Sequence, residues 1–261
     1  DLQLQQKSVF VAAGSRGLGL ATALEYAREG ANVTIASRNP AQLKQAYETI
    51  LDTVGKKVLT VQMDVAKKDE IEYAIDQAVK EYGGLDVLIT NAGGPPSGGF
   101  SDFADESWEL AFEQNLLSVI RLIRTALPHM RVKGAGRIVN ITSTSVKEPL
   151  PGLILSNVFR SGVQALTKSL AQELASELIL VNSAAPGRIH TSRIDELDKI
   201  KADKLEMNLE EVRAQREALI PLQRYGTPEE FARAVVFLGS YANTYVTGQT
   251  LLIDGGMVKS V

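Results

Sequence analysis

The chain contains no cysteine, so disulfides, thiolate nucleophiles and cysteine-ligated metals are all excluded. It has only two histidines, His129 and His190, far apart in sequence, and its acidic residues are never grouped at a metal-ligand spacing. No metal is expected. No run of 18 apolar residues occurs, and the N-terminus lacks the basic-then-apolar pattern of a secretory signal. The reading is a soluble, cytoplasmic protein without a membrane partner. Proline and glycine are too few and too scattered for a low-complexity chain, at 9 and 21 of 261 residues. A net charge of −3 and basic residues that form no stripe argue against nucleic acid, while leaving room for a local basic pocket that takes a phosphate.

What remains is an alternation of short apolar runs and longer helical stretches. Strands are predicted at Ser8 to Ala13, Asn32 to Ala36, Val58 to Met63, Val87 to Thr90, Arg137 to Ile141, Ile179 to Ala184 and Thr250 to Ile253. Helices fall between them at Leu18 to Glu29, Pro40 to Leu51, Glu70 to Tyr82, Trp108 to Arg131, Ser161 to Glu177 and Pro228 to Leu238. Strands without polar alternation, separated by helices, predict an α/β fold: a Rossmann-type, doubly wound, seven-stranded parallel sheet with helices on both faces. One domain spanning 1–261 is expected, since no linker divides the chain. Gly93 to Gly99 holds four glycines and two prolines and must be a loop. The charged insertion 188–219, with helices at Asp195 to Lys204 and Met207 to Glu217, leaves the carboxyl end of the sixth strand. It reads as a substrate lid, or as a solvated helical hairpin with a packing role.

Gly14-Ser15-Arg16-Gly17-Leu18-Gly19 follows the first strand and opens the first helix. A glycine turn into a helix N-terminus presents free N–H groups and the positive end of the helix dipole, a seat for a pyrophosphate. In NAD-binding sheets an acidic residue ends the second strand and binds the ribose 2′-hydroxyl. Here that strand runs into Ser37-Arg38-Asn39, with no carboxylate. Arg38, with Arg16 beside it, suits a 2′-phosphate, so NADP is favoured over NAD. Asp64, after the third strand, is placed to accept a hydrogen bond from the adenine edge.

These segments resemble the short-chain dehydrogenase/reductase family over nearly the whole chain. Ala12 to Gly19 is similar to the family's T-G-x-x-x-G-x-G, with alanine in the Thr place and again, as Ala13, in the first Gly place. Asn91-Ala92-Gly93 matches its N-A-G, Asn115 its helix asparagine, and Asn140-Ile141-Thr142-Ser143 the segment bearing the catalytic serine. Pro186-Gly187 followed by Thr191 resembles the loop at the nicotinamide end; Tyr245 to Gly248 and Ile253 to Gly256 resemble the C-terminal signature. The nearest branches are the 3-oxoacyl-(acyl-carrier-protein) reductases and the glucose dehydrogenases. The resemblance implies a cofactor site of Gly14, Ser15, Arg16, Gly17, Leu18, Gly19, Ser37, Arg38, Asp64, Val65, Asn91, Ala92, Gly93, Arg160, Pro186, Gly187, Ile189 and Thr191.

It also implies a tyrosine and a lysine, as Y-x-x-x-K, in the helix after Ser143. Ser156 and Arg160 stand there instead, and the continuation Ser161 to Lys168 secures the register. The implied catalytic set is therefore Asn115, Ser143, Ser156 and Arg160, with His190 as a further acid–base candidate or an ordinary loop residue. An aliphatic hydroxyl is far less acidic than a phenol, and arginine stays protonated. Three readings follow: an NADP-dependent oxidoreductase with unusual proton-transfer equipment acting on a small or acyl carbonyl or alcohol; a reductase of an activated C=C or C=N bond; or a nucleotide-binding sensor or scaffold without turnover. Leu150, Pro151, Leu153, Ile154 and Leu155, with Pro95-Pro96, either line an apolar substrate pocket or pack the interior. The helices Trp108 to Arg131 and Ser161 to Glu177 correspond to the family's four-helix subunit interface. Their apolar stripes, Val119, Leu122, Ile123, Ala126 and Leu127 on one and Val163, Leu166, Leu170 and Leu174 on the other, fit either an interface or an internal core. The resemblance, rather than the periodicity, implies a homotetramer, with a dimer as the fallback.

Overall fold

The computed structural model describes residues 1–260. Its strands are β1 (Ser8–Ala12), β2 (Asn32–Ser37), β3 (Leu59–Gln62), β4 (Val87–Thr90), β5 (Gly136–Ile141), β6 (Ile179–Pro186) and β7 (Thr250–Ile253). They form one sheet in the order β3-β2-β1-β4-β5-β6-β7, every pairing parallel. The chain walks outward from β1 to β3 and then returns to β4, so strand order reverses between β1 and β4. A crevice opens at such a reversal, beyond the carboxyl ends of the strands.

The missing polar alternation has a plain cause: both faces of the sheet are covered. Val9 and Val11 of β1 point into a core shared with Tyr26, Val33, Ile35, Phe231 and Val235. Phe10 and Ala12 point the other way, into a second core with Ile71, Ile75, Leu122, Ile123 and Val163. The first face is packed by α1 (Gly17–Arg28), α2 (Pro40–Val54) and α9, which spans Pro228–Leu238. The second is packed by α3 (Lys68–Tyr82), α5 (Ser118–Lys133) and α6 (Ile154–Leu174); α4 (Asp105–Phe112) runs ahead of α5.

Two predicted helices differ from those observed. The stretch from Trp108 to Arg131 is not one regular helix: α4 and α5 are joined by a π turn at Glu113–Leu117. One extra residue in a helical run leaves the apolar spacing almost unchanged, so periodicity does not reveal it. The following helix starts at Ile154, not Ser161. No side chain caps its first turn in the usual way. Instead Asn157 reaches back, its Nδ2 donating to Leu150 O at 2.9 Å and its Oδ1 accepting from Leu150 N at 3.3 Å.

The helical stripes also resolve. Val119, Leu122, Ile123, Ala126, Val163 and Leu174 are buried in this chain's own second core, with Leu127, Leu166 and Leu170 half-buried against it. The insertion after β6 forms α7 (Ser192–Leu205) and α8 (Leu209–Glu217). No helix among the described residues is long and apolar enough to cross a membrane.

Candidate functional site

The crevice between β1 and β4 is floored by the glycine turn. β1 ends at Ala12, and Ala13 takes a left-handed conformation, φ 48°, to drop the chain beneath α1. Gly19 is required by close approach: a Cβ there would lie 2.2 Å from the Ala13 carbonyl oxygen. Arg16 is the N-cap of α1 and gives no side-chain hydrogen bond to the helix start, so the helix N-terminus faces the crevice without an internal cap. Ser15 is buried, Gly17 and Leu18 are half-buried, and Gly14 N donates to Ala36 O at 3.2 Å.

Asn91, Ala92 and Gly93, leaving β4, form the opposite lip. Asn91 Nδ2 reaches the Ala13 carbonyl at 3.5 Å, and a Cβ placed on Gly93 would meet nothing within 4 Å. Thr191, the N-cap of α7, closes the roof, its methyl 3.6 Å from where a Gly17 Cβ would stand.

At the end of β2, Ser37 is buried while Arg38 is exposed; Arg16 is exposed as well. Among the described residues neither arginine has a carboxylate partner. Gln62 Nε2 donates to the Arg38 carbonyl at 3.2 Å and steadies that turn. Asp64 is half-buried; one carboxylate oxygen accepts from Ala66 N at 3.0 Å, leaving the other for a ligand. Val65 beside it is half-buried. These groups fit an adenosine bearing an added phosphate, because cations and a free acceptor sit where each is needed.

The reacting end lies past β5. Arg160, half-buried on α6, donates from Nη1 to Ile141 O at 3.0 Å, two residues before Ser143. Burial lowers its guanidinium to about 10, assisted by the nearby charge of Arg193. Ser156 is buried one turn earlier on the same helix, and four-residue spacing puts it on the Arg160 side. Ser143 Oγ accepts from Ser145 N at 3.2 Å. Asn115 sits in the π turn, buried, its Nδ2 on Ala111 O at 3.2 Å and its Oδ1 without a partner. Bulges of this kind recur at functional sites.

Four further residues come from the end of β6 and the loop beyond it. His190 is exposed, its N–H on Gly226 O at 2.9 Å and its ring 5.1 Å from that of Tyr225. Ile189 turns its side chain into the first core. Gly187 packs against Asp254, with its N–H on Ile253 O at 2.9 Å, while Pro186 ends β6. Of the apolar run before α6, Leu155 is fully buried and Leu153 bridges to Gly98, so the stretch divides between packing and the mouth of the crevice.

Some positioning groups escaped the sequence reading. Thr90 donates to Asn140 Oδ1 at 2.6 Å, Asn140 Nδ2 donates to Thr167 Oγ1 at 2.9 Å, and Thr167 meets Ser183 Oγ at 2.8 Å. This buried polar chain ties the ends of β4, β5 and β6 to α6, and every link is satisfied within it. Arg193 was also missed, because it lies in a charged run without periodicity. Among the described residues, no three His, Asp or Glu side chains group as metal ligands.

The family profile described as enoyl-(acyl carrier protein) reductase matches residues 12–258. The chain belongs to the short-chain dehydrogenase/reductase family. Its curated relatives in that family include the 3-oxoacyl-(acyl-carrier-protein) reductase FabG of Staphylococcus aureus, 35% identical over 254 residues, covering 96% of this chain and 98% of that protein. The corresponding reductase of Chlamydia muridarum is 34% identical over 255 residues, covering 97% and 98%. Among solved structures of the family, L-sorbose reductase from Gluconobacter frateurii, complexed with NADPH and L-sorbose, superposes with a TM-score of 0.94 at 30% identity and full coverage of both chains. An actinorhodin polyketide ketoreductase with NADPH gives 0.93 at 32% identity, covering 97% of each.

Proposed function

We propose that this short-chain dehydrogenase/reductase is an NADP(H)-dependent oxidoreductase that acts on a carbonyl or alcohol with Ser143 as its matching serine and with Ser156 and Arg160 where relatives use tyrosine and lysine. The observation that carries the reading is the pair of exposed cations, Arg16 and Arg38, at a β2 end that has no carboxylate. NADPH-bound reductases of the same fold support it.

NADPH, when bound, supplies a hydride to the substrate carbon while a proton goes to its oxygen, giving alcohol and NADP⁺. The glycine turn and the α1 N-terminus hold the diphosphate; Arg16 and Arg38 hold the 2′-phosphate; Asp64 with Val65 meets the adenine; Asn91 to Gly93, Pro186, Gly187 and Thr191 line the path toward the nicotinamide. Arg160 remains protonated at neutral pH even at about 10, so it stabilises negative charge on the substrate oxygen rather than relaying a proton. The Ser143 and Ser156 hydroxyls donate hydrogen bonds to that oxygen, and the proton comes ultimately from solvent. Losing a dedicated general acid costs typically about 10²–10⁴-fold in rate, so turnover is slow and not abolished. Asn115 supports the α4–α5 bend behind the site.

The 188–219 insertion is read as a lid, since Thr191 overlies the glycine turn while the rest stands over the β6 end. The absent tyrosine favours a second reading, an NADP(H) sensor without turnover. Titration with NADPH and NADH, followed by an NADPH-oxidation screen over ketones, enones, imines and quinones, separates them. Binding with ketone turnover supports the enzyme, turnover confined to enones or imines the C=C or C=N reductase, and binding alone the sensor.

A further inference from the structure

The segment leaving β6 crosses the crevice as a strap whose two ends are held differently. Its base is pinned several times over. Gly187 N donates to Ile253 O at 2.9 Å, and two backbone bonds, Gly226 N to Arg188 O and His190 N to Gly226 O, are each 2.9 Å. Ile189 between them is buried in the first core. Beyond this base Thr191 passes over the glycine turn, its methyl 3.6 Å from where a Gly17 Cβ would stand, and α7 begins. Arg193, the second residue of α7, then reaches the loop after β4, its Nη2 donating to Pro95 O at 2.7 Å. Among the described residues this is the one hydrogen bond that joins 188–219 to any part of the chain before β6.

Both sides of that fastening are prepared. On α7, Glu196 Oε2 accepts from Arg193 Nη1 at 2.9 Å, which fixes the guanidinium on the helix and leaves Nη2 for the loop. The guanidinium lies along the loop backbone, with Nε 3.4 Å from where a Gly94 Cβ would stand. The loop is stiffened from behind. Gly98 N donates to Gly152 O at 2.7 Å and Ile154 N donates to Gly98 O at 3.3 Å, zipping it to the chain before α6. Asn157 holds that chain to α6 through both of its bonds to Leu150. One bond therefore joins two braced bodies across the crevice, and when it breaks the strap is free on that side.

We infer that the Arg193–Pro95 bond is a latch that sets how fast the nicotinamide dinucleotide enters and leaves, without setting how tightly it binds. This rests on the NADP(H) reading, in which the cofactor runs from the glycine turn toward the β5 end and so lies beneath the strap. Exchange then takes place from the small population in which the strap is unlatched. A cofactor that touches neither Arg193 nor Pro95 O differently in the two forms leaves their balance alone. Breaking the latch raises the unlatched population equally with and without cofactor, so entry and exit accelerate together and their ratio holds. A hydrogen bond from a charged donor shifts such a balance by about 10- to 100-fold.

Stopped-flow fluorescence tests this with NADPH as the probe, entry read on mixing and exit read by displacement with excess NADP⁺. The variants are Arg193→Gln, which removes the latch, and Glu196→Gln, which leaves the Pro95 bond in place. Both side chains are partly exposed, at 35% and 58%, so neither change reaches the core. Arg193→Gln should raise the entry and exit rates together by at least about 10-fold, with the calorimetric affinity that of the wild type. Glu196→Gln should stay close to the wild-type rates. Unchanged rates in Arg193→Gln overturn the latch alone. Faster exit with unchanged entry makes Arg193 a cofactor ligand and also overturns it. Equal acceleration by Glu196→Gln assigns the effect to the ion pair within α7 and overturns the Pro95 bond as the fastener. A wild-type protein that binds no NADPH overturns the NADP(H) reading itself, and the latch falls with it.

Discussion

At the scale of single residues, the glycine turn carries one strained substitution. Ala13 sits at φ 48°, a region in which an L side chain costs roughly 1–2 kcal/mol. Ala13→Gly removes that strain but adds unfolded-state entropy worth about 0.5–1 kcal/mol, leaving a net gain of roughly 0.5–1 kcal/mol. Scanning calorimetry should show a modestly higher Tm. Gly19→Ala should do the reverse and abolish nucleotide binding, since its methyl would collide with the Ala13 carbonyl. Arg38 is the residue that sets cofactor choice. Arg38→Ala should weaken NADPH by about 10- to 100-fold and barely alter NADH, from the loss of a charge-assisted contact of roughly 1.5–3 kcal/mol. Equal losses for both nucleotides in calorimetry would refute the 2′-phosphate assignment. The dyad is testable too: Ser156→Tyr together with Arg160→Lys restores a phenol beside a lysine, and ketone-dependent NADPH oxidation should rise.

Among the elements, the 188–219 insertion is held by charge. Asp198 of α7 is fully buried, accepting from Tyr225 OH at 3.0 Å and facing Arg188, Arg213 and Arg216. Burial holds Arg188 and Arg216 below the usual arginine range, and the shared carboxylate is what makes their enclosure tolerable. Asp198→Asn should loosen α7 and α8 selectively, seen as faster amide exchange over 192–217 with the sheet unaffected. The α9 start has its own switch. Glu230 is pushed down to about 2, mainly by hydrogen bonds from Arg224 and also by the Thr227 N–H of a capping box. A depressed carboxylate stabilises the fold fully above its ordinary value near 4.5 and loses that contribution as pH falls toward about 2. Glu230→Gln should therefore flatten melting temperature against pH over that window and nowhere above it. These elements also mark what sequence makes legible. Strand positions, the glycine turn and the missing β2 acid could be read because each rests on local spacing. The π turn, the Asn157 helix start, buried Asp198 and Arg193 could not, because each owes its place to a partner distant in the chain or to one extra residue inside a regular run.

For the whole molecule, two separate surfaces remain apolar after folding. On one side Phe100, Leu110, Phe112 and Val158 are exposed, backed by Trp108 and Phe159, whose rings lie 5.9 Å apart. At the far edge Phe237 of α9, Leu251 of β7 and the nearly bare Tyr245, 97% exposed, form the second. Scattered exposed apolar side chains need no explanation, but clustered aromatics on a helix pair mark an association surface. One self-complementary patch closes a twofold dimer; two on different sides generate a tetramer with dihedral symmetry. The internal placement of Val119 and Leu122 does not weaken this, since the exposed set comes from α4, the outer face of α6 and the β7 edge. We therefore expect tetramers of the 28.2 kDa chain. Phe112→Glu, a charge in the middle of the first patch, should convert them to dimers held by the second, and Leu251→Glu should do so through the first. Sedimentation equilibrium at micromolar concentration reads both outcomes, and the double variant should run as a monomer. A wild-type protein that sediments as a monomer would refute the assembly while leaving the site untouched.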